Sequence, residues 1–325
     1  MTAAQPLNLQ DYAPHTPFAQ RHLLTLQDWS ADEILQTLSL ALRLKREQKA
    51  GIRHALLQGK TLAMIFTKSS TRTRVSFEVG MRQLGGYALF LSSADIQLGR
   101  GEPIADTARV LTRMVDGVMI RTYEQSDAAG LAEFGGVPII NGLTDEFHPC
   151  QVLADLLTLY EHKGALSGLK MAYVGDGNNV AHSLLIGCSK LGINVALACP
   201  KSFGPKAEYV NWARHNALAQ GSEVRLTESP GEAVAGADSV YTDVWASMGR
   251  ENEQAARVDA FAGYQVDEAL MRGAKRDAIF LHCLPAHRGE EVAAPVIDGA
   301  QSVVFDQAEN RLHVQKAVLS LLMKP

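Results

Sequence analysis

Hydroxyl-bearing and basic side chains are concentrated in one short segment, Ser69–Arg74, with the sequence "SSTRTR". It lies between "KTLAMIFTK", which is apolar like a buried strand, and "VSFEVGMRQLGG", which has the composition of a helix. Where a strand turns into a helix, unpaired N–H groups and the positive end of the helix dipole favour a bound anion. The hydroxyls of Ser70, Thr71 and Thr73 add neutral donors, and Arg72 adds a planar guanidinium suited to phosphate. A plain Ser/Thr helix cap with solvated arginines fits the local sequence equally well.

Other phosphate-binding patterns fit less well. The Walker pattern G-x-x-x-x-G-K-[ST] does not occur in the chain. "VGDGNNV" follows an apolar run and resembles the start of a dinucleotide-binding fingerprint. However, Val180 occupies the third glycine position, and Lys201 follows the next predicted strand where an acidic residue is expected. This pattern therefore argues against a nicotinamide cofactor.

Three further polar positions follow or flank predicted strands. Each also has a structural interpretation: His148 as a helix start before Pro149, Asp243 as a helix cap, and Cys283 as a small buried residue. The histidines have no metal-ligand spacing. We expect neither a metal nor a cofactor.

The order of predicted elements indicates an α/β protein. A capping box at Ser30–Glu33 begins the first long helix, and strand-like and helix-like runs alternate from there to "AENRLHVQKAVLSLLM". The alternation restarts after "GALSG", Gly164–Gly168, and 325 residues suit two domains. The pattern predicts two domains, each a parallel sheet flanked by helices and joined by interdomain helices.

Composition narrows the function classes. The chain is 46% hydrophobic and 20% charged, with a net charge of −4 and no basic block, which disfavours a nucleic-acid partner or a membrane-surface role. An apolar run of membrane-spanning length is absent from the sequence. The four cysteines form no C-x-x-C pair. Together with the polar N-terminal sequence, this predicts a cytoplasmic location.

Taken together, the motifs resemble the carbamoyltransferase family, and within it the ornithine carbamoyltransferases. The matching segments are "FTKSSTRTRVSFEVG", "DTARVLTRMVDGVMIR", "HPCQVLADLLT", "GDGNN", "TDVWASMG", "HCLP" and "QAENR". They occur in the family's order from about residue 20 onward. Cys150 in "HPCQ" replaces the Thr or other small residue of many relatives, and its side chain is expected to face away from substrate.

The resemblance implies transfer of the carbamoyl group of carbamoyl phosphate to the δ-amine of L-ornithine, giving L-citrulline and phosphate. It also implies a carbamoyl phosphate-binding domain, residues 1–150, with the C-terminal helix 309–325 packing back on it. The ornithine-binding domain is then 151–308. The family is a homotrimer with active sites between subunits, and its two domains close on the second substrate.

Site residues follow from the same resemblance. Arg121, His148 and Cys283 are expected to be catalytic. Carbamoyl phosphate is expected to contact Ser70, Thr71, Arg72, Thr73, Gln97, Arg121, His148, Gln151, Cys283, Leu284 and Arg311, with Gln97 supplied by a neighbouring subunit. Ornithine is expected to contact Asn179, Asp243, Ser247 and Met248.

Three alternatives remain at this stage. A carbamoyltransferase for a related amine such as putrescine, or for aspartate, would share the first domain and differ in the second. A carbamoyl phosphate-binding regulatory module would require missing catalytic residues, whereas every expected position is filled. The same residues serve arginine synthesis and arginine breakdown, so the sequence leaves both directions open.

Overall fold

The computed structural model describes residues 7–246 and 254–324. The chain forms two compact units. The first contains Asn8–Ala154 together with the residues from Glu309 onward, and the second contains Asp155–Ala308. None of the helices in the described part of the chain combines the length and apolar character needed to cross a membrane.

The first unit contains a four-stranded parallel sheet in the order β2-β1-β3-β4. Its strands are β1 (Thr61–Phe66), β2 (Tyr87–Ser92), β3 (Gly117–Arg121) and β4 (Ile139–Leu143). Its helices are α1 (Ala31–Lys49), α2 (Thr71–Gln83), α3 (Ile104–Leu111), α4 (Gln125–Phe134), the start of α5 (Pro149–Lys163) and most of α12 (Val304–Leu322). The expected capping box is present, because Ser30 and Glu33 exchange hydrogen bonds at the start of α1.

The second unit contains a five-stranded parallel sheet in the order β7-β6-β5-β8-β9. Its strands are β5 (Lys170–Val174), β6 (Asn194–Ala198), β7 (Val224–Thr227), β8 (Ser239–Thr242) and β9 (Ile279–His282). Its helices are α6 (Asn179–Lys190), α7 (Ala207–Gln220), α8 (Pro230–Val234), α9 (Gln254–Ala260), α10 (Glu268–Met271) and α11 (Ala294–Ile297).

The central strands of both sheets are apolar and buried because they are covered on both faces, whereas the edge strand β2 is largely exposed. In the first unit Ile65, Val118 and Ile139 lie in one buried cluster. In the second, Val174, Val240 and Phe280 lie in another. The predicted α/β class and the two parallel sheets are therefore confirmed.

The strand order determines where ligands gather. In each sheet the chain reverses its direction of winding beside the first strand, between β1 and β3 in one unit and between β5 and β8 in the other. Loops leaving the carboxyl ends of such neighbouring strands run in opposite directions and leave a crevice. The segments that follow these four strands are the ones that carry most of the expected site residues.

Candidate active site

The "SSTRTR" segment forms the start of helix α2. Ser70 caps the helix by accepting a hydrogen bond from the Thr73 N–H at 3.2 Å. Thr71, Arg72 and Thr73 form the first turn, so the helix begins four residues earlier than the "VSFEVG" run predicts. The cap explanation and the anion explanation are thus compatible, because the first N–H groups of a capped helix still have no partner within the helix.

Arg311 from α12 is held against this helix start. It is buried, and its guanidinium donates to the Thr73 hydroxyl at 3.1 Å and to Gln151 Oε1 at 2.7 Å. Thr73 and Gln151 are also buried. These contacts bring three predicted carbamoyl phosphate residues together from three helices, and they fix the plane of the guanidinium.

His148 and Arg121 complete the cluster. Arg121 is the last residue of β3 and His148 directly precedes α5, and both are buried. Burial holds the pKa of His148 well below its usual range, and the positive charges of Arg311, Arg121 and Arg72 add to the effect. The structure therefore gathers three guanidiniums around a neutral imidazole.

Lys68 is a buried cation that the sequence argument missed. Its ammonium pairs with Asp145 and lies 4.2 Å from the centre of the Tyr123 ring. These contacts tie the segment before Ser70 to the loop that leads to His148. The sequence offered one indication of a role for Lys68, namely its position directly before the hydroxyl-rich segment Ser69–Arg74.

Gln97 has a different environment. It begins a short 3₁₀ helix, Gln97–Arg100, that follows the edge strand β2, and its side chain is exposed. Exposed apolar residues lie on or near the same edge: Val75, Tyr87, Leu89 and Phe90.

Asp243 is the centre of the second unit's polar cluster. It directly follows β8 and is buried. Its Oδ2 accepts from Asn178 Nδ2 at 2.7 Å, and its Oδ1 accepts from Cys283 Sγ at 3.0 Å and from the Val244 N–H at 2.8 Å. The carboxylate is therefore oriented by donors from three segments.

Asn178 is a second residue that sequence reasoning missed. Its side-chain oxygen caps α6 by accepting from the N–H groups of Val180 and Ala181, while its amide nitrogen donates to Asp243. Asn179, which the resemblance selects, is the first residue of that helix. The preference for Asn at helix caps was the signal that singles out Asn178.

Cys283 and Leu284 follow β9 in the second unit, where Cys283 is partly exposed. Leu284 has a positive φ of 58° and a cis bond to Pro285. Its N–H donates to His282 Nδ1 at 2.8 Å. The strand end thus orients the Cys283 thiol toward Asp243. Ser247 and Met248 lie outside the described residues.

In "GDGNN", close packing requires a glycine at Gly177. A Cβ on Gly177 would lie 2.2 Å from Pro205 N, so no side chain fits there. Asp176 between the glycines pairs with Arg257 at 2.7 Å. This turn is filled by the chain's own residues, consistent with rejecting the dinucleotide interpretation.

Folding also assembles groups that linear spacing does not reveal. All four cysteines are free thiols, and burial raises the pKa of Cys150 to about 12. Cys150 is buried, and its Sγ lies 3.5 Å from the Asn141 carbonyl oxygen. Among the described residues, two groups have potential metal ligands in mutual proximity: Asp243, His282 and Cys283, and His287, Glu290 and Glu291.

Comparison with known proteins agrees with this architecture. Residues 21–161 match the family model for the aspartate/ornithine carbamoyltransferase carbamoyl-P binding domain, and 167–322 match the Asp/Orn binding domain. The fold is that of a carbamoyltransferase. The chain belongs to the aspartate/ornithine carbamoyltransferase family.

Individual relatives are similar over nearly their whole length. The ornithine carbamoyltransferase of Carboxydothermus hydrogenoformans is 61% identical over 93% of this chain and 97% of its own. The anabolic enzyme of Pyrococcus furiosus is 56% identical over 94% and 97%. A solved ornithine carbamoyltransferase structure from Pyrococcus furiosus superposes with a TM-score of 0.92, covering 95% of this chain and 98% of that one.

Proposed function

We propose that this protein transfers the carbamoyl group of carbamoyl phosphate to the δ-amine of L-ornithine, giving L-citrulline and phosphate. The observation that carries the proposal is the cluster of Arg72, Arg121 and Arg311 around neutral His148. Three guanidiniums suit a phosphorylated substrate, and a neutral imidazole beside them suits its carbonyl oxygen.

The first unit is assigned to carbamoyl phosphate. The N-terminus of α2, with Ser70, Thr71 and Arg72, binds the phosphate. Arg121, His148 and the Thr73 hydroxyl face the carbonyl group, and Arg311 reaches the same substrate. Gln151 holds Arg311 through a 2.7 Å hydrogen bond, which makes it an orienting residue for that guanidinium.

The second unit is assigned to ornithine. Asp243 pairs with the α-ammonium group, Asn179 contacts the amino acid, and Cys283 and Leu284 lie beside the reacting groups. The Asn178 amide and the Cys283 thiol hold the Asp243 carboxylate before substrate binds. An oriented anion favours a substrate with an α-ammonium over an amine that lacks one.

The chemistry requires an unprotonated amine. An alkyl ammonium has a pKa of about 10.4, so neutralising it at pH 7 costs about 4–5 kcal/mol. The guanidiniums of the first unit disfavour a second cation and reduce that cost. The amine nitrogen then bonds to the carbonyl carbon, the carbon–oxygen bond to phosphate breaks, and the proton lost by the amine passes to the departing phosphate.

The residues of the first unit stabilise both charges that develop. Negative charge on the carbonyl oxygen is stabilised by Arg121, the His148 N–H and the Thr73 hydroxyl, which are already in place. The departing phosphate stays against Arg72 and the helix N-terminus. Holding two substrates in position supplies up to about 7–11 kcal/mol of the lowering of the barrier.

A homotrimer in the cytoplasm is part of the proposal. The exposed apolar side chains at the β2 edge and the exposed Gln97 suit a contact with a second copy. The free cysteines suit a reducing compartment. The anabolic naming of the Pyrococcus furiosus relative supports a role in arginine biosynthesis.

A citrulline assay tests the activity. Purified protein with carbamoyl phosphate should form product from ornithine and little or none from aspartate, putrescine, N-acetylornithine or lysine. Product formation from putrescine at a comparable rate would refute the ornithine assignment.

Mixed assembly tests the shared site. Arg72→Ala and Gln97→Ala chains should each be nearly inactive alone and regain activity when refolded together, since some mixed sites receive both intact residues. Light scattering should report a trimer; a monomer with full activity would refute the subunit arrangement.

A further inference from the structure

Beside the loop after β9, the second unit carries a cluster formed by His287, Glu290 and Glu291. Their potential ligand atoms lie within 4.8 Å of one another. His287 Nδ1 is 3.8 Å from Glu290 Oε2 and 4.0 Å from Glu291 Oε2. These separations are too long for N–H···O hydrogen bonds, so direct pairing does not explain the arrangement.

Glu291 supplies the strongest observation. The residue is fully buried, and its Oε1 accepts from the His287 N–H at 2.7 Å and lies 3.1 Å from His282 Nε2. Its Oε2 is also buried, and no group in the described part of the chain donates a hydrogen bond to it. A buried carboxylate oxygen of this kind needs a donor or a cation.

Two neighbouring basic side chains, His282 and Arg288, do not provide that cation. His282 Nδ1 accepts from the Leu284 N–H, which places the ring proton on Nε2 and leaves the imidazole neutral. Arg288 is bound to Asp298 through contacts of 2.9 Å and 2.7 Å. Arg288, the basic residue closest in sequence to Glu291, is therefore already paired with another carboxylate.

The backbone that carries the cluster is well anchored. The Glu291 carbonyl accepts from the Val266 N–H at 2.9 Å, and Gln265 Nε2 donates at 2.8 Å to the carbonyls of Gly289 and Glu290. His287 is exposed and Glu290 partly so. The cluster thus combines one fixed, buried ligand with two ligands that a dissolved ion reaches.

We propose that His287 Nδ1 and one carboxylate oxygen each from Glu290 and Glu291 bind a divalent transition-metal ion such as Zn²⁺. One imidazole and two carboxylates form a typical zinc donor set. Tetrahedral ligands at 2.0–2.2 Å from the metal lie about 3.3–3.5 Å apart. Small movements of the exposed His287 and Glu290 side chains bring the observed separations to that range, and water completes the coordination.

Cobalt(II) distinguishes this site from the other ligand group, because only the Asp243, His282 and Cys283 group contains sulfur. Full-length protein is titrated with Co²⁺ and followed by visible and near-ultraviolet absorption. We expect one ion per chain, visible d–d bands, and no thiolate charge-transfer band. Cys283→Ser should give the same spectrum and affinity.

Variants complete the test. His287→Ala and Glu290→Gln should each weaken Co²⁺ binding at least about tenfold. His215→Ala removes an exposed histidine on α7 and should bind like the wild type. Circular dichroism checks that each variant is folded. A near-ultraviolet thiolate band that disappears in Cys283→Ser, or equal binding by His287→Ala and His215→Ala, would overturn the proposal.

Discussion

In both sheets the candidate site lies at the same topological position, but the side chains there carry opposite charges. At the crevice of the four-stranded sheet, Arg72, Arg121 and Arg311 surround His148. At the crevice of the five-stranded sheet, a carboxylate, Asp243, is held by an amide and a thiol. The parallel topology therefore determines where a ligand-binding crevice forms. The side chains that follow each strand determine whether that crevice prefers an anion or a cation.

The largest effect is expected on the basic side of this comparison. Arg72→Ala removes a bidentate phosphate donor and should lower carbamoyl phosphate affinity by several hundredfold or more, since charged hydrogen bonds contribute about 1.5–3 kcal/mol each. Calorimetry measures the loss. Arg74→Ala is the matched control, because Arg74 pairs with Glu78 on the same helix. Unchanged affinity in Arg72→Ala would remove this segment from the site.

For the Asp243 cluster, the most informative measurement is the preference for ornithine over putrescine. Putrescine lacks the α-groups and so cannot make the proposed contacts with Asp243 and Asn179, and each lost contact is expected to cost about 1–3 kcal/mol. The kcat/KM for ornithine should exceed that for putrescine by at least about a hundredfold. Asp243→Asn should narrow this ratio by impairing ornithine more. A ratio that does not change in Asp243→Asn would show that this carboxylate is not the selective group.

Asn178 tests whether the donors around Asp243 orient it. Asn178→Ser retains a cap for α6 but removes the amide that donates to the carboxylate. We expect kcat/KM for ornithine to fall by about 10–100-fold, as for loss of a charge-assisted hydrogen bond. Carbamoyl phosphate affinity should stay constant. Equal loss for both substrates would indicate general damage to the fold.

Cys283 is expected to have a smaller effect, since a thiol is a weak donor. Cys283→Ala should keep the melting temperature and reduce ornithine turnover severalfold, because Cys283 lies beyond the end of β9. Steady-state kinetics and a thermal melt are recorded on the same sample. A much lower melting temperature with normal kinetics would assign the residue to the core.

The smallest expected effect is the absence of a protonation step at His148 near neutral pH. Its pKa is lowered well below its usual range by burial and by three guanidiniums, so the ring should stay neutral as pH falls through 6.5. The unfolded chain binds a proton near pH 6.5, so this residue's contribution to stability decreases as pH falls through that value. Nuclear magnetic resonance of the ring Cε1–H, assigned with His148→Asn, measures the titration. A midpoint near 6.5 would contradict the cluster.

Much of the fold was accessible from the sequence because periodicity and caps act locally. The strand-like run "KTLAMIFTK" contains β1 (Thr61–Phe66), and the Ser30 capping box begins α1 as expected. Helix starts were less accurate: α2 begins at Thr71 because Ser70 caps it, and α12 begins at Val304 although its first residues look strand-like. The short helices α9, α10 and α11 carry too few turns to show a periodicity.

The site was accessible in part for a different reason. Family motifs mark residues that meet substrate, whereas Lys68 and Asn178 act on other side chains, through Asp145 and Asp243. Such partners are distant in sequence and become visible only when the chain folds. The site roles carried over from the family remain predictions that the variants above test.

The closing helix gives the first unit an unusual order of assembly during synthesis. Arg311 contacts Thr73, Asn310 accepts from Lys45 at 2.8 Å, and Lys316 donates to Gln48 and Gln83. A nascent chain that has emerged as far as residue 154 therefore lacks the partners of those side chains. Domains commonly fold in order as the ribosome releases them. Here the second unit is complete in sequence before the first, so the N-terminal half should finish folding only after α12 has left the ribosome.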